Sequence, residues 1–179
     1  MSRVIDLKEG RLLMAVRRGY RNWSHRFQEE FGLKTRLSDI SINTLSSLAQ
    51  AKEKEIFYLY DLIMNLHGLG SGFEFDGLSP KEKMRLVDQY LFLLDQIRFE
   101  CMKRLGWLTG YPGEEFTLVE LVMDFDRLAP DLQAKIPVLS PNHPEYDKYC
   151  LSNTFDKEAF IRKLIPSALK KIRDYSTTL

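Results

Sequence analysis

Arg11, Arg18, Arg21 and His25 are the residues near the N-terminus whose types and spacing suit chemistry on an anion. At about 100° per residue, Arg11, Arg18, Asn22 and His25 fall on one face of a helix, with Arg21 alongside. Leu13, Val16, Tyr20, Trp23, Phe27 and Phe31 occupy the opposite face. The first 36 residues hold nine Lys/Arg against four Asp/Glu in a chain that is otherwise almost neutral. Guanidinium groups gathered this way hold phosphates, so an anion or nucleic-acid surface is one expectation. The competing reading is a solvated face, partly balanced by Glu29 and Glu30 one turn after His25 and Arg26.

Arg18 and His25 also support a catalytic reading. The imidazole would act as general base on a ribose hydroxyl, and the guanidinium would stabilise charge developing on the phosphate. The spacing Arg18-x6-His25 resembles the Arg-x(4–6)-His pattern of HEPN-type helical ribonucleases, which need no metal. The resemblance covers those two residues and a helical chain. In that family the motif usually sits on a late helix with a polar residue after the arginine. Here it sits on the first helix and Gly19 follows.

An acidic counterpart lies at Glu114–Asp131, where Glu114, Glu115, Glu120, Asp124, Asp126 and Asp131 face a single Arg127. Trp107 and Tyr111 precede it in a turn-rich stretch. Aromatic and acidic residues together mark Trp107, Tyr111, Glu114, Glu115, Glu120 and Asp124 as interface candidates. They would meet another protein or the basic first helix of a second copy.

Other groupings carry less. His25 and His67 belong to opposite ends of the expected bundle, and no Glu-x-x-His places two ligands on one helix face. No metal and no cofactor is expected. His67, beside Gly68, reads as a helix C-terminal residue favoured by the dipole. Gly68-x-Gly-x-Gly72 has the composition of a phosphate cradle. However, a helix precedes it instead of a strand, so it reads as a helix stop and turn, with Phe73 and Phe75 plugging the bundle end. Asp61 and Asp95 interrupt apolar runs. They differ in height by roughly 14 Å along the bundle, so they read as separate ion pairs or exposed faces.

The elements that must position these residues are helices. Apolar residues recur every three or four positions over about Leu7–Phe31, ending at Gly32, and over about Ile42–His67, capped by Ser41 and ending at Gly68. Ser79-Pro80-Lys81-Glu82 is a capping box with proline at the first helical position. It opens a helix to about Leu105, stopped by Gly106. Tyr90–Leu94 is apolar nearly all round, which places this helix innermost and predicts burial of Leu91 and Leu94. Thr117-Leu-Val-Glu120 opens a shorter helix expected to stop at Ala129-Pro130. Three prolines between Pro137 and Pro144 predict an excursion over the surface, with a turn of helix near Glu145–Tyr149. A last helix runs from an Asp156 cap to about Tyr175, with Pro166 inside it.

The expected fold is therefore all-α, an antiparallel bundle of about four long helices with one or two short extra helices, forming a single domain over residues 1–179. Its length of 179 residues suits one domain, and apolar residues at 44% with charged residues at 28% exclude wholesale disorder. The 26 Lys/Arg against 25 Asp/Glu exclude a wholly basic nucleic-acid binder. No apolar run reaches the ~20 residues of a membrane helix. The start Met1-Ser-Arg-Val-Ile-Asp has no signal-type apolar stretch, and Cys101 and Cys150 form no disulfide framework. A cytoplasmic location is the expectation. With no coherent catalytic set in view, the leading expectation is a non-enzymatic helical module that binds a protein partner or itself, away from membranes.

Overall fold

Caps and glycine stops explain where most of the helices begin and end. The computed structural model describes residues 6–177. The N-terminal stretch 1–5, considered above for a signal sequence, lies outside them. Among the described residues the α-helices are α1 (Leu7–Gly19), α2 (Arg21–Phe27), α3 (Ile42–Ala49), α4 (Glu53–Leu66), α5 (Pro80–Arg104), α6 (Leu118–Met123), α7 (Phe125–Gln133), α8 (Tyr146–Leu151) and α9 (Thr154–Thr177). Two short strands, β1 (Leu108–Gly110) and β2 (Val138–Leu139), pair antiparallel. The all-α class holds.

Ser41 Oγ accepts the Thr44 N–H, and Ser79 and Glu82 form the expected reciprocal box. Thr117 and Glu120 do the same at α6. Gly68 and Gly106 take positive φ, 70° and 77°, just past the ends of α4 and α5, a left-handed conformation that residues with a Cβ adopt only under strain. The N-cap of α9 is Asn153, whose side chain accepts the Asp156 N–H, and not Asp156. The helix continues through Pro166.

Side-chain contacts fix the directions of the helices. Trp23 Nε1 donates to the Tyr58 carbonyl at 2.7 Å, and Gly19 abuts Leu62, so α1 and α2 run antiparallel to α4. His67 meets Gln89, Tyr60 stacks on Tyr90, and Arg98 donates to the Ala49 carbonyl, so α4 and α3 run antiparallel to α5. Arg162 grips Asp95 bidentately, while Lys171 shares a surface hollow with Leu105. Those two pairs run in the same sense, which makes α9 parallel to α5. Buried side chains from α1 to α9 make one continuous apolar cluster, with α5 packed against α3, α4, α6, α9 and β1.

The bundle expectation needs correction on several points. Two of the four long helices are split. The first breaks at Tyr20, and the second breaks at Gln50–Lys52, where Ala51 takes φ 51°. The first break lets Trp23 reach the Tyr58 carbonyl while Gly19 stays tight on Leu62. Gln28, not Gly32, ends α2 in the left-handed conformation at φ 55°, with its side-chain amide donating to the His25 carbonyl at 2.6 Å. The fourth helix is parallel to α5 because α6–α8 carry the chain back before it begins. Pro130 does not end a helix. The break falls at Asp124, and Pro130 lies inside α7, whose Leu128, Ala129 and Leu132 are buried. Leu91 is 51% exposed, whereas Leu93 and Leu94 are buried. Cys101 is buried as expected, and burial pushes its thiol up to about 12.

Glu29 does not balance Arg26 or His25 in the way the helical register implied. With α2 ended at Phe27, its carboxylate accepts from the Ser41 N–H and Oγ and from Thr44 Oγ1, over the start of α3. Desolvation raises its pKa, but these hydrogen bonds outweigh it and hold the carboxyl below its usual value.

Two outcomes follow from this packing. Leu94→Ala should cost about 2–5 kcal/mol through lost burial and the cavity left, while Leu91→Ala stays within ~0.5 kcal/mol, both read by urea denaturation. The depressed carboxyl of Glu29 contributes stability above its unfolded pKa and loses it as pH falls through the folded value. Glu29→Gln should therefore flatten the acid limb of a stability–pH profile relative to wild type.

Candidate binding groove along the first helix

A buried carboxylate builds the groove. Asp61 is 2% exposed, and its oxygens accept from Asn22 Nδ2 at 2.7 Å and from the Gly72 N–H. Asn65 Nδ2 donates back to the Asp61 carbonyl at 2.8 Å. Neutral donors thus hold the charge, not the ion pair or open solvent expected for it. The consequence is geometric, because α2, α4 and the glycine loop are tied at one point.

The loop then folds back on α4. Phe73 stacks on Phe57 with ring centroids 5.0 Å apart, and Phe75 tilts against Tyr60. Phe75 is half-buried, as a plug would be, but Phe73 is 72% exposed and closes nothing. The glycine loop is not a phosphate cradle. The N–H groups of Gly68, Leu69 and Gly72 donate to Asn65 O, Met64 O and the Asp61 carboxylate, so they point inward. The carboxylate of Glu74 covers Gly70, where an added Cβ would collide with it.

Between this loop and α1 lies a groove of about 380 Å³ lined by Arg11, Met14, Ala15, Arg18, Asn65, Gly68 and Gly70. It joins part of the basic face to the glycine loop, two features the sequence presents separately. Arg21 and His25 are exposed on α2 and do not belong to its lining. The break at Tyr20 stands between Arg18 and His25, so they no longer share one continuous helix face. Asn22, placed with them by helical register, turns to Asp61.

The N-terminal half of α1 adds an apolar surface that sequence reasoning missed. Leu7 is 79% exposed, Met14 56% and Leu13 41%, and with Asp6, Gly10, Arg11 and Arg17 they line a shallow hollow of about 490 Å³. Spacing puts Leu13 on the buried stripe, but α1 packs on α4 through Val16 and Gly19 instead. The missed signal is the Leu7–Gly10–Met14–Arg17 spacing, which forms a second stripe beside the first.

The acidic interface candidates are mostly engaged within the chain. Tyr111 is buried, a correction to its place among them. Its hydroxyl donates to Glu100 Oε2 at 2.7 Å, and burial, then the Glu100 carboxylate, push its pKa far up. Glu114 pairs with Lys103, Asp124 with Arg127, and Glu120 caps α6. Trp107 is half-buried, edge-on to His143 and under the Lys171 ammonium. Glu115 is exposed. Of the two expectations for Asp95, an ion pair or an exposed face, the structure shows the ion pair, with Arg162, while Asp126 pairs with Arg85.

Comparison with protein-family models, curated proteins and solved structures found no match. Among the described residues no group of three or more His, Cys, Asp or Glu is placed to hold a metal ion, and no helix is long and apolar enough to cross a membrane.

Asp61→Ala strands the buried Gly72 N–H and releases the Asn22 amide to solvent. It should cost about 2–3 kcal/mol and speed hydrogen exchange at Gly72 more than at the α5 core, which amide exchange by NMR will read.

Proposed function

We propose that this protein is a non-enzymatic helical module that associates with another protein, or with a second copy of itself, through the exposed face of α1. The observation that carries the reading is the apolar strip of Leu7, Leu13 and Met14 left open beside Arg11 and Arg17. An apolar strip flanked by cations fits an amphipathic helix whose own rim is acidic. The chain itself offers only a narrow counterpart, one exposed methionine beside carboxylates that already cap α6 and pair with Arg127. Met123 is 43% exposed at the end of α6, next to Glu120 and Asp124. If that surface is the partner, the contact is head-to-tail, and assembly continues until it closes into a ring.

Light scattering across a concentration series tests this. Wild type should gain mass with concentration, Met14→Glu should stay monomeric, and Arg17→Glu should associate again when combined with Glu120→Arg. A strict monomer at every concentration, together with unchanged partner capture by Met14→Glu, overturns the reading.

A second reading rests on the groove. Arg11 and Arg18 line it together, and they suit the phosphates of a nucleic acid. In that case anisotropy with single-stranded RNA should show affinity falling steeply with salt and further with Arg18→Glu. Binding indifferent to both removes it. The ribonuclease reading needs His25 beside Arg18, and it stands or falls on an RNA cleavage assay with His25→Ala as control.

A further inference from the structure

A hollow between α5, the end of α7 and α9 has a hydrogen-bond donor set in its floor. It shares no residue with the surfaces on α1. It measures about 250 Å³, and Phe92, Phe99, Leu132 and Pro137, all buried, give it apolar walls. Gln96 lines it too and is 4% exposed. Its Oε1 accepts the Gly113 N–H at 3.1 Å, while its Nε2 donates to no described residue. That nitrogen is not sealed in, as Gln89 Nε2 is, so its N–H groups open onto the hollow. Gly113 packs so closely that an added Cβ would collide with Gln96 Oε1, which leaves the amide little room to turn. A donor held in one orientation among apolar walls selects for a matching acceptor.

The charges around the floor define that acceptor. Arg162 holds Asp95 bidentately and reaches Glu158 at 3.3 Å. Exposed Lys135 supplies a second cation. Carboxylates and cations are thus equal in number, and a neutral rim favours an uncharged ligand over either ion. Each oxygen of Asp95 accepts one N–H from Arg162 and keeps a lone pair. Asp95 directly precedes Gln96, so a donor and an acceptor stand side by side. A primary carboxamide answers both with its carbonyl and its N–H groups. Phe92 and Phe99 lie on one face of α5 and suit a planar ring. The volume is below the roughly 300–1,000 Å³ of pockets for drug-sized ligands, so it takes a single ring.

We propose that this hollow binds a small uncharged aromatic carboxamide, its carbonyl accepting from Gln96 Nε2, its N–H groups donating to Asp95 and its ring lying against Phe92 and Phe99. A set of probes separates the parts of that claim: benzamide; benzoate, which exchanges the N–H donors for a charge; toluene, which lacks the carboxamide; and acetamide, which lacks the ring. The readouts are the side-chain amide resonance of Gln96 and the ring resonances of Phe99 during titration of the full chain.

Benzamide should shift both saturably. Benzoate and acetamide should bind about tenfold more weakly, and toluene should leave the Gln96 amide unmoved. Gln96→Glu keeps an oxygen for the Gly113 N–H but removes the donor, and it should weaken benzamide about tenfold as followed at the Phe99 ring. No saturable shift with benzamide means that water alone serves Gln96, and the proposal fails. It fails equally if benzoate or acetamide matches benzamide, or if Gln96→Glu binds as wild type does. Should Gln96→Glu not fold, the ranking of the probes on the wild-type chain decides.

Discussion

The carboxylate of Asp61 is the constraint on which the candidate surface depends. A buried charge must be met by donors, and here three separate segments are drawn to one residue to meet it. Asn22 comes from α2, the Gly72 amide from the glycine loop, and the carboxylate itself from the middle of α4. Removing either donor leaves a buried carboxyl oxygen short of a partner. The groove lined by Arg11 and Arg18 is a by-product of this knot. Once the loop is fastened at Gly72, its Gly68–Gly70 arm has to run beside α1.

Around the knot, α5 organises the rest. Its 25 residues give it the reach to touch α3, α4, α6 and α9. Polar groups at fixed heights along it set the register of its neighbours. Gln89 receives His67, Asp95 receives Arg162, Gln96 accepts the Gly113 N–H, and Glu100 accepts from Tyr111. Apolar stripes alone permit sliding, whereas these pairs do not. Among the described residues, Tyr20 Oη and Gln89 Nε2 are buried side-chain atoms without a hydrogen-bond partner.

Surface and core divide the acidic and basic segments differently from their appearance in the chain. The acidic run from Glu114 is largely absorbed by caps and local ion pairs, since Glu120, Asp124 and Asp126 each meet a donor within the fold. The basic run is left open. Arg11, Arg17 and Arg18 remain exposed beside an uncovered apolar strip. This asymmetry favours α1, over the acidic segment, as the surface that meets another molecule.

The sequence by itself determined the class and most of the helix ends. Capping boxes at Ser79 and Thr117 and stops at Gly68 and Gly106 are local chemistry, satisfied within four residues of each other, so they are legible without the fold. The basic run on the first helix was legible for the same reason. The breaks at Tyr20 and Ala51 were not, because neither residue is a breaker. They bend where Trp23 must reach Tyr58 O and where Ala49 O must reach Arg98, distances that exist only in three dimensions. Helical periodicity likewise cannot say which of two adjacent apolar stripes finds a partner. Leu13 and Leu91 were assigned inward by spacing and lie outward because no other element covers them. Tertiary structure alone decided that Asp61 is buried, that the first helix breaks between Arg18 and His25, and that Arg18 shares a groove with the glycine loop. Each of these depends on contacts between segments tens of residues apart.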